Sequence, residues 1–231
     1  MEEGQMRRYE EAEKRYLLAL EADPNNATAH NDYGNVLQQM RRYEEAEKRY
    51  LLALKVDSNY AAAHTNYGTL LARVGRYEEA EKQYLLALEA DPDYAAAHNN
   101  YGTLLEIVKC YEEAEKQYLL ALKADPNHAA AHYNYGNILC EMGRLEEAKK
   151  QYLLALENNP NNIAIHYNYG NILCEMGSYE EAEKQFLLAL KADPKDADTH
   201  YNYGVLLEKM GREEDAKKQY KHAMENDPGN A

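Results

Sequence analysis

Six histidines, His30, His64, His98, His132, His166 and His200, recur at a single step of 34 residues. Histidine can ligate a metal, move a proton or fill a packed site, and the spacing discriminates between these uses. Zinc needs its ligands about 2 Å from one ion, whereas equivalent positions on helices stacked side by side lie about 10 Å apart. The histidines therefore read as one packing position used six times, and neither a metal nor a cofactor is implied. Cys110, Cys140 and Cys174 lack CxxC spacing and read as reduced thiols in a cytoplasmic setting. Glutamates such as Glu112 and Glu113 return in every copy, so they belong to the scaffold. There is no nucleophile–base grouping and no phosphate-cradling loop, and the chain is not expected to be an enzyme.

The remaining chemistry is hydrogen bonding. One row at the same step is Asp32, Asn66, Asn100, Asn134, Asn168 and Asn202. A second is Asn35, Thr69, Thr103, Asn137, Asn171 and Val205, and a third is Asn31, Thr65, Asn99, Tyr133, Tyr167 and Tyr201. A carboxamide offers both donor and acceptor, so a ladder of them can satisfy an extended peptide backbone whatever its side chains. The three tyrosines add the flat amphipathic area that interfaces favour. The rival reading is that these asparagines bond within the array.

Positioning these rows requires a repeating element, and the period supplies it. Gly34, Gly68, Gly102, Gly136, Gly170 and Gly204 keep the step, and the segments His132–Gly143 and His166–Gly177 are identical. A period of this length means a stacked array rather than a fold with one centre. Each copy holds two helical patterns. His98, Tyr101, Gly102 and Leu105 share one helical face, as do Ala114, Tyr118, Ala121 and Leu122. Gly102 and Ala114 are small where the two helices should approach closely. Gly75, Gly143, Gly177 and Gly211 stand where a left-handed turn closes the first helix. Arg41 and Lys109 replace that glycine, so those two turns are expected to be less well capped. Asp-Pro pairs such as Asp125-Pro126 and Asp227-Pro228 close the second helix, with Ser58 replacing one proline.

These residues resemble the tetratricopeptide repeat: His98-x2-Tyr101-Gly102-x2-Leu105, then Ala114-x3-Tyr118, then Pro126 follow its pattern. Histidine stands in the usual tryptophan slot and tyrosine in a leucine slot. The resemblance covers essentially the whole chain. It implies an all-α, right-handed superhelical α-solenoid of stacked helix-turn-helix repeats, with first helices lining a concave peptide groove. The Asn66, Asn100, Asn134, Asn168 and Asn202 row is similar to the asparagine ladder in the peptide-binding arrays of protein O-glycosyltransferases. Arrays of this family that clamp an acidic chain terminus carry lysine and arginine in the groove. Here Arg73 and Lys209 are the only obvious cations, which favours a neutral to basic peptide.

Composition sets the outer bounds. There are 22 tyrosines, one phenylalanine and no tryptophan, and the net charge is −14. Nucleic acid and anionic membrane are poor partners for such a surface. No apolar run approaches a membrane span and no signal peptide is evident. Residues 1–26 read as a partial repeat, a second helix at about 7–22 preceded by the short end of a missing first helix. Six full repeats follow at 27–60, 61–94, 95–128, 129–162, 163–196 and 197–231. The last reads as a polar cap because Lys221 and His222 replace a leucine pair.

The expected function is a protein–protein interaction scaffold binding an extended peptide. Three alternatives stay open. One is a self-assembling scaffold, a homo-oligomer joined through the unpartnered N-terminal helix or through the leucine doublets from Leu17-Leu18 to Leu187-Leu188. Another is the substrate-selecting part of a larger enzyme. The third is a recently duplicated or engineered array with no evolved ligand.

Overall fold

The computed structural model describes residues 3–227, which are all-helical apart from short turns. Thirteen helices are present among the described residues: α1 (Glu3–Ala22), α2 (Ala27–Gln39), α3 (Tyr43–Val56), α4 (Ala61–Arg73), α5 (Tyr77–Ala90), α6 (Ala95–Ile107), α7 (Tyr111–Ala124), α8 (Ala129–Glu141), α9 (Leu145–Asn158), α10 (Ile163–Glu175), α11 (Tyr179–Ala192), α12 (Ala197–Lys209) and α13 (Glu213–Asn226). No described helix is long and apolar enough to cross a membrane. Contacts divide the chain into two units, Met1–Asp125 and Pro126–Ala231. In the first, hairpins α2–α3, α4–α5 and α6–α7 stack in order behind α1. In the second, α8–α9, α10–α11 and α12–α13 do the same.

Each hairpin closes on a glycine. A Cβ built on Gly34 would lie 2.6 Å from Cε1 of Tyr50, and one on Gly136 would lie 2.8 Å from Cε1 of Tyr152. The missing side chain is thus the seat of an aromatic ring from the facing helix, buried in every hairpin but the last, where Tyr220 is half-buried. Ala46, Ala80, Ala114, Ala148 and Ala182 are also fully buried, letting the second helix come close enough for that ring to reach. This is the close approach expected at Gly102 and Ala114.

The turns follow the glycine pattern with one difference. Gly75, Gly143, Gly177 and Gly211 have φ between 73° and 81°, but Arg41 and Lys109 also adopt left-handed values, 59° and 63°. Their amides close the same bonds: Lys109 N–H reaches Glu106 O at 2.9 Å, and Gly75 N–H reaches Ala72 O at 3.1 Å. The capping hydrogen bonds are therefore intact. What the two residues carry is conformational strain, about 1–2 kcal/mol for a side chain held in that region.

Three further findings adjust the sequence reading. The N-terminal helix starts at Glu3 and runs unbroken to Ala22, so residues 3–6 continue it instead of ending a missing first helix. Arg7 occupies the register of the left-handed turn residue but lies inside this helix. The second helix preceding Ser58 stops at Val56 although the proline is absent. Asp57 accepts from the Asn59 amide at 3.0 Å, as Asp91 does from Asp93 at 3.2 Å, and this turn replaces the proline's effect. Lys221 and His222 lie on the outer face, where the leucine doublets of the other second helices are also exposed. Polar side chains thus stand in the doublet register of the last hairpin. Pro228 lies outside the described residues.

Candidate functional site

The recurrent histidines are buried in every copy. In both units the ring is held from two sides. His98 Nε2 contacts the Pro92 carbonyl at 3.0 Å and Nδ1 contacts Oε1 of Gln117 at 2.8 Å. His132, His166 and His200 repeat this with Gln151, Gln185 and Gln219. The histidine therefore pins the preceding loop to its own hairpin. Among the described residues no group of three or more His, Cys, Asp or Glu side chains lies together so as to hold a metal. The glutamine partner is not singled out by the sequence reading, although it keeps the 34-residue step from Gln83 onward.

His30 is the exception. Its Nε2 meets the Pro24 carbonyl at 3.0 Å, but Nδ1 is buried with no hydrogen-bond partner among the described residues. The residue in the glutamine register is Arg49, whose guanidinium sits 4.5 Å over the Tyr33 ring instead. A buried unmet polar atom costs about 1–3 kcal/mol, against about 1 kcal/mol for a cation–π contact whose cation, like Arg49, is half-buried and still reached by water. Arg49→Gln is expected to raise stability by about 1 kcal/mol, read as a higher urea midpoint with an unchanged slope. An unchanged or lower midpoint would show that the cation–π contact outweighs the unmet nitrogen.

Successive hairpins are joined by a half-buried carboxylate. Glu47 on α3 accepts from the Tyr67 hydroxyl at 2.6 Å and from Arg76 at 2.8 Å. Burial, followed by the bond to Glu47, pushes Tyr67 up to about 12. Glu13 does the same for Tyr33 and Arg42, and Glu183 for Tyr203 and Arg212. Between α9 and α11 the polarity is reversed. Lys149 stands in the glutamate register and Ser178 in the arginine register, so Glu181 takes the Tyr169 hydroxyl at 2.7 Å and Lys149 at 2.9 Å. The Lys149 bond, then the Tyr169 bond, holds the Glu181 carboxyl below the ordinary range.

The asparagine rows lie along the first helices. In the first unit Asn66 donates to Oδ1 of Asn31 at 2.9 Å, and Asn100 donates to Thr69 Oγ1 at 3.1 Å. Asn100 in turn accepts from Asn99 at 3.0 Å. Beside Asn100 a cavity of about 340 Å³ is lined by Thr69, Arg73, Thr103, Leu104 and Ile107. The rows thus carry bonds between neighbouring first helices.

In the second unit Asn168 donates to the Tyr133 hydroxyl at 2.9 Å and to Oδ1 of Asn137 at 3.1 Å. Asn202 donates to the Tyr167 hydroxyl at 2.7 Å. Asn134 is half-buried and also engaged. Tyr133, Tyr167 and Tyr201 stand against the rings of Tyr152, Phe186 and Tyr220, with centroids 6.1, 6.5 and 5.6 Å away. Asn137 accepts from the Tyr152 hydroxyl at 2.8 Å. At the next copy the ring is Phe186, the single phenylalanine of the chain. It has no hydroxyl, and Asn171 is left half-buried with neither its donor nor its acceptor engaged among the described residues. The candidate residues of this unit therefore share one face, and they differ in what they have free.

Comparisons with known proteins agree with this architecture. Sequence profiles described as tetratricopeptide repeat match residues 25–93, 84–116, 118–150 and 197–230, and a profile described as TPR repeat matches 136–177 and 170–211. No curated protein matches the chain. PilF of Pseudomonas aeruginosa is structurally similar with a TM-score of 0.79 at 23% identity, over 88% of this chain and 92% of that one. The APC/C hetero-tetramer Cut9–Hcn1 gives 0.81 at 13% identity, over 95% of this chain and 45% of that one. YrrB, described as a TPR protein with an unusual peptide-binding site, gives 0.56 at 24% identity, over 80% of this chain and 95% of that one. Structural likeness at such identities speaks for the fold alone. The profile matches, running from residue 25 to residue 230 over hairpins that close on Gly-seated aromatic rings, show that the chain belongs to the tetratricopeptide repeat family.

Proposed function

We propose that the chain is a non-catalytic binding module, and that the first-helix face of the second unit holds an extended, neutral to basic peptide. Tetratricopeptide repeats typically mediate protein–protein interaction, and the YrrB structure is described by its peptide-binding site. The observation that carries the reading is Asn171. A half-buried carboxamide with both functions free among the described residues is poised to pair with one peptide unit, N–H and C=O together. On either side, Asn168 and Asn202 spend N–H donors on tyrosine hydroxyls, leaving their carbonyl oxygens as acceptors for backbone N–H or lysine. Tyr201, 57% exposed, adds apolar contact area. In the first unit Asn66 likewise spends an N–H donor within the array, while Asn100, beside the 340 Å³ cavity, donates to Thr69 and already accepts from Asn99.

Two substitutions test this with a peptide selected from a displayed random library on the full chain. Asn171→Ala removes two peptide hydrogen bonds, about 2 kcal/mol together, and should weaken binding at least about tenfold with an unchanged melting temperature. Phe186→Tyr supplies the hydroxyl that Tyr152 gives Asn137. It should occupy Asn171 and weaken binding several-fold while the fold is kept. Wild-type titration isotherms for both variants would remove the proposal.

A further inference from the structure

The outer face of the first unit carries a feature the peptide site does not use. The leucine pairs beginning at Leu17, Leu51, Leu85 and Leu119 sit on α1, α3, α5 and α7. Consecutive positions diverge by about 100° on a helix, so covering both members by neighbouring helices is difficult, and all eight remain 39% to 65% exposed. Isolated exposed leucines need no explanation, whereas a contiguous row on successive second helices does. Together they present roughly 600 Å² of apolar surface, or about 1,200 Å² if two copies meet, which reaches the size of a specific interface.

A row of exposed charges borders this stripe, one turn beyond the leucines: Glu21, Lys55, Glu89 and Lys123. The sign alternates from one helix to the next. Among the described residues, none of the four forms an ion pair within the chain. The neighbouring row on the other side does not alternate, being Lys14, Lys48, Lys82 and Lys116.

We infer that the leucine face of the Met1–Asp125 unit is a homodimer interface in which a second copy packs with its stack running in the opposite direction. A two-fold axis along the second helices puts first against fourth and second against third. Glu21 then faces Lys123 of the second copy, and Lys55 faces Glu89 of the second copy, so every pair of this row is complementary, whereas the uniform lysine row meets lysine in every register and does not choose among them. Shifting that antiparallel register by one repeat places like charges opposite each other, so the alternation fixes the pairing while the leucines supply the area. Like charges directly opposed across an interface discriminate against wrong pairings. The peptide face is formed by first helices, so the two readings stand or fall separately.

Sedimentation equilibrium on the full chain tests it. Wild type is expected to dimerise with a Kd on the order of 10 μM. Lys55→Glu and Glu89→Lys each place two like-charged pairs across the axis and should weaken the dimer at least about tenfold. The double variant exchanges the two charges and should restore wild-type affinity. Leu86→Gln should weaken it as well, with unchanged helicity. A wild-type monomer at ten times that concentration would overturn the proposal. So would a dimer indifferent to Leu86→Gln, which would place the contact elsewhere, for instance on the uncovered side of α1. A double variant no better than the singles would overturn the register.

Discussion

Titrating the protein from pH 9 to pH 12 should unfold it, with helix loss and tyrosinate absorbance rising together instead of in separate steps. Tyr33 and Tyr67 are pushed from the ordinary 10.0 up to about 12, first by burial and then by their bonds to Glu13 and Glu47. Burial raises Tyr50, Tyr84, Tyr101, Tyr118, Tyr169 and Tyr203 in the same direction. A phenol whose folded value lies above its unfolded value keeps its proton longer in the native state. Between about pH 10 and 12 the unfolded chain therefore binds fewer protons, and stability falls with rising pH. Below pH 10 the contribution is complete, so near-neutral changes should leave it untouched. The effect is spread over both units because an aromatic–carboxylate tie recurs in each. Tyrosine ionisation that completes at pH 10 with helicity intact would show that these rings are not protected.

Glu81→Gln gives the same expectation a local form. It removes the carboxylate that accepts from Tyr101 at 2.7 Å, leaving an amide that can still accept. It should preserve the neutral-pH fold while weakening the alkaline resistance at that joint. Because Cys110 stands in the arginine register of this hairpin, no cation at that position complicates the comparison.

Much of this architecture is legible in the residues themselves. A constant step with glycine, alanine and tyrosine in fixed register dictates two helices, a turn and a close crossing, and Gly102 and Ala114 lie where that pattern requires. The histidine slot is likewise readable as packing. The hydrogen bonds are not, for a geometric reason. A 34-residue step tells which residues share a face, but neighbouring helices meet with an offset: Asn66 pairs with Asn31, 35 residues away, and Asn100 with Thr69, 31 away. Only donors and acceptors compared at those offsets reveal that the ladder also ties helices together. The Lys149–Glu181 exchange and the free Asn171 are hidden for a related reason. Each depends on a second substitution, Ser178 or Phe186, whose meaning appears only when the two are seen in contact. α1 departs from expectation in that Arg7, in a turn residue's register, lies within an unbroken helix, and arginine is a good helix former that carries no turn signal of its own.

Gly136 is where a single added carbon should matter most. In an isolated helix, Gly→Ala gains about 1 kcal/mol, so propensity alone predicts a more stable protein. In the structure the new Cβ would lie 2.8 Å from Cε1 and 2.9 Å from Cδ1 of Tyr152, a ring only 1% exposed. The ring cannot retreat freely, since its hydroxyl is bonded to Asn137 at 2.8 Å and its face meets Tyr169 at 6.2 Å between centroids. Overpacking of this kind costs about 1–3 kcal/mol. Gly136→Ala is therefore expected to destabilise by about 1 kcal/mol net, and Gly136→Val, with less helix propensity and a branched Cβ, by about 3 kcal/mol. Gly143→Ala separates steric crowding from backbone strain, because its φ is +73° and nothing lies within 4 Å of a Cβ there. Tyr152→Leu should relieve part of the crowding, making the Gly136→Val/Tyr152→Leu pair less harmful than the sum of the singles by at least about 1 kcal/mol. Additive losses in urea unfolding would mean that the glycine is not a seat for the ring, and the account of how each hairpin closes would have to change.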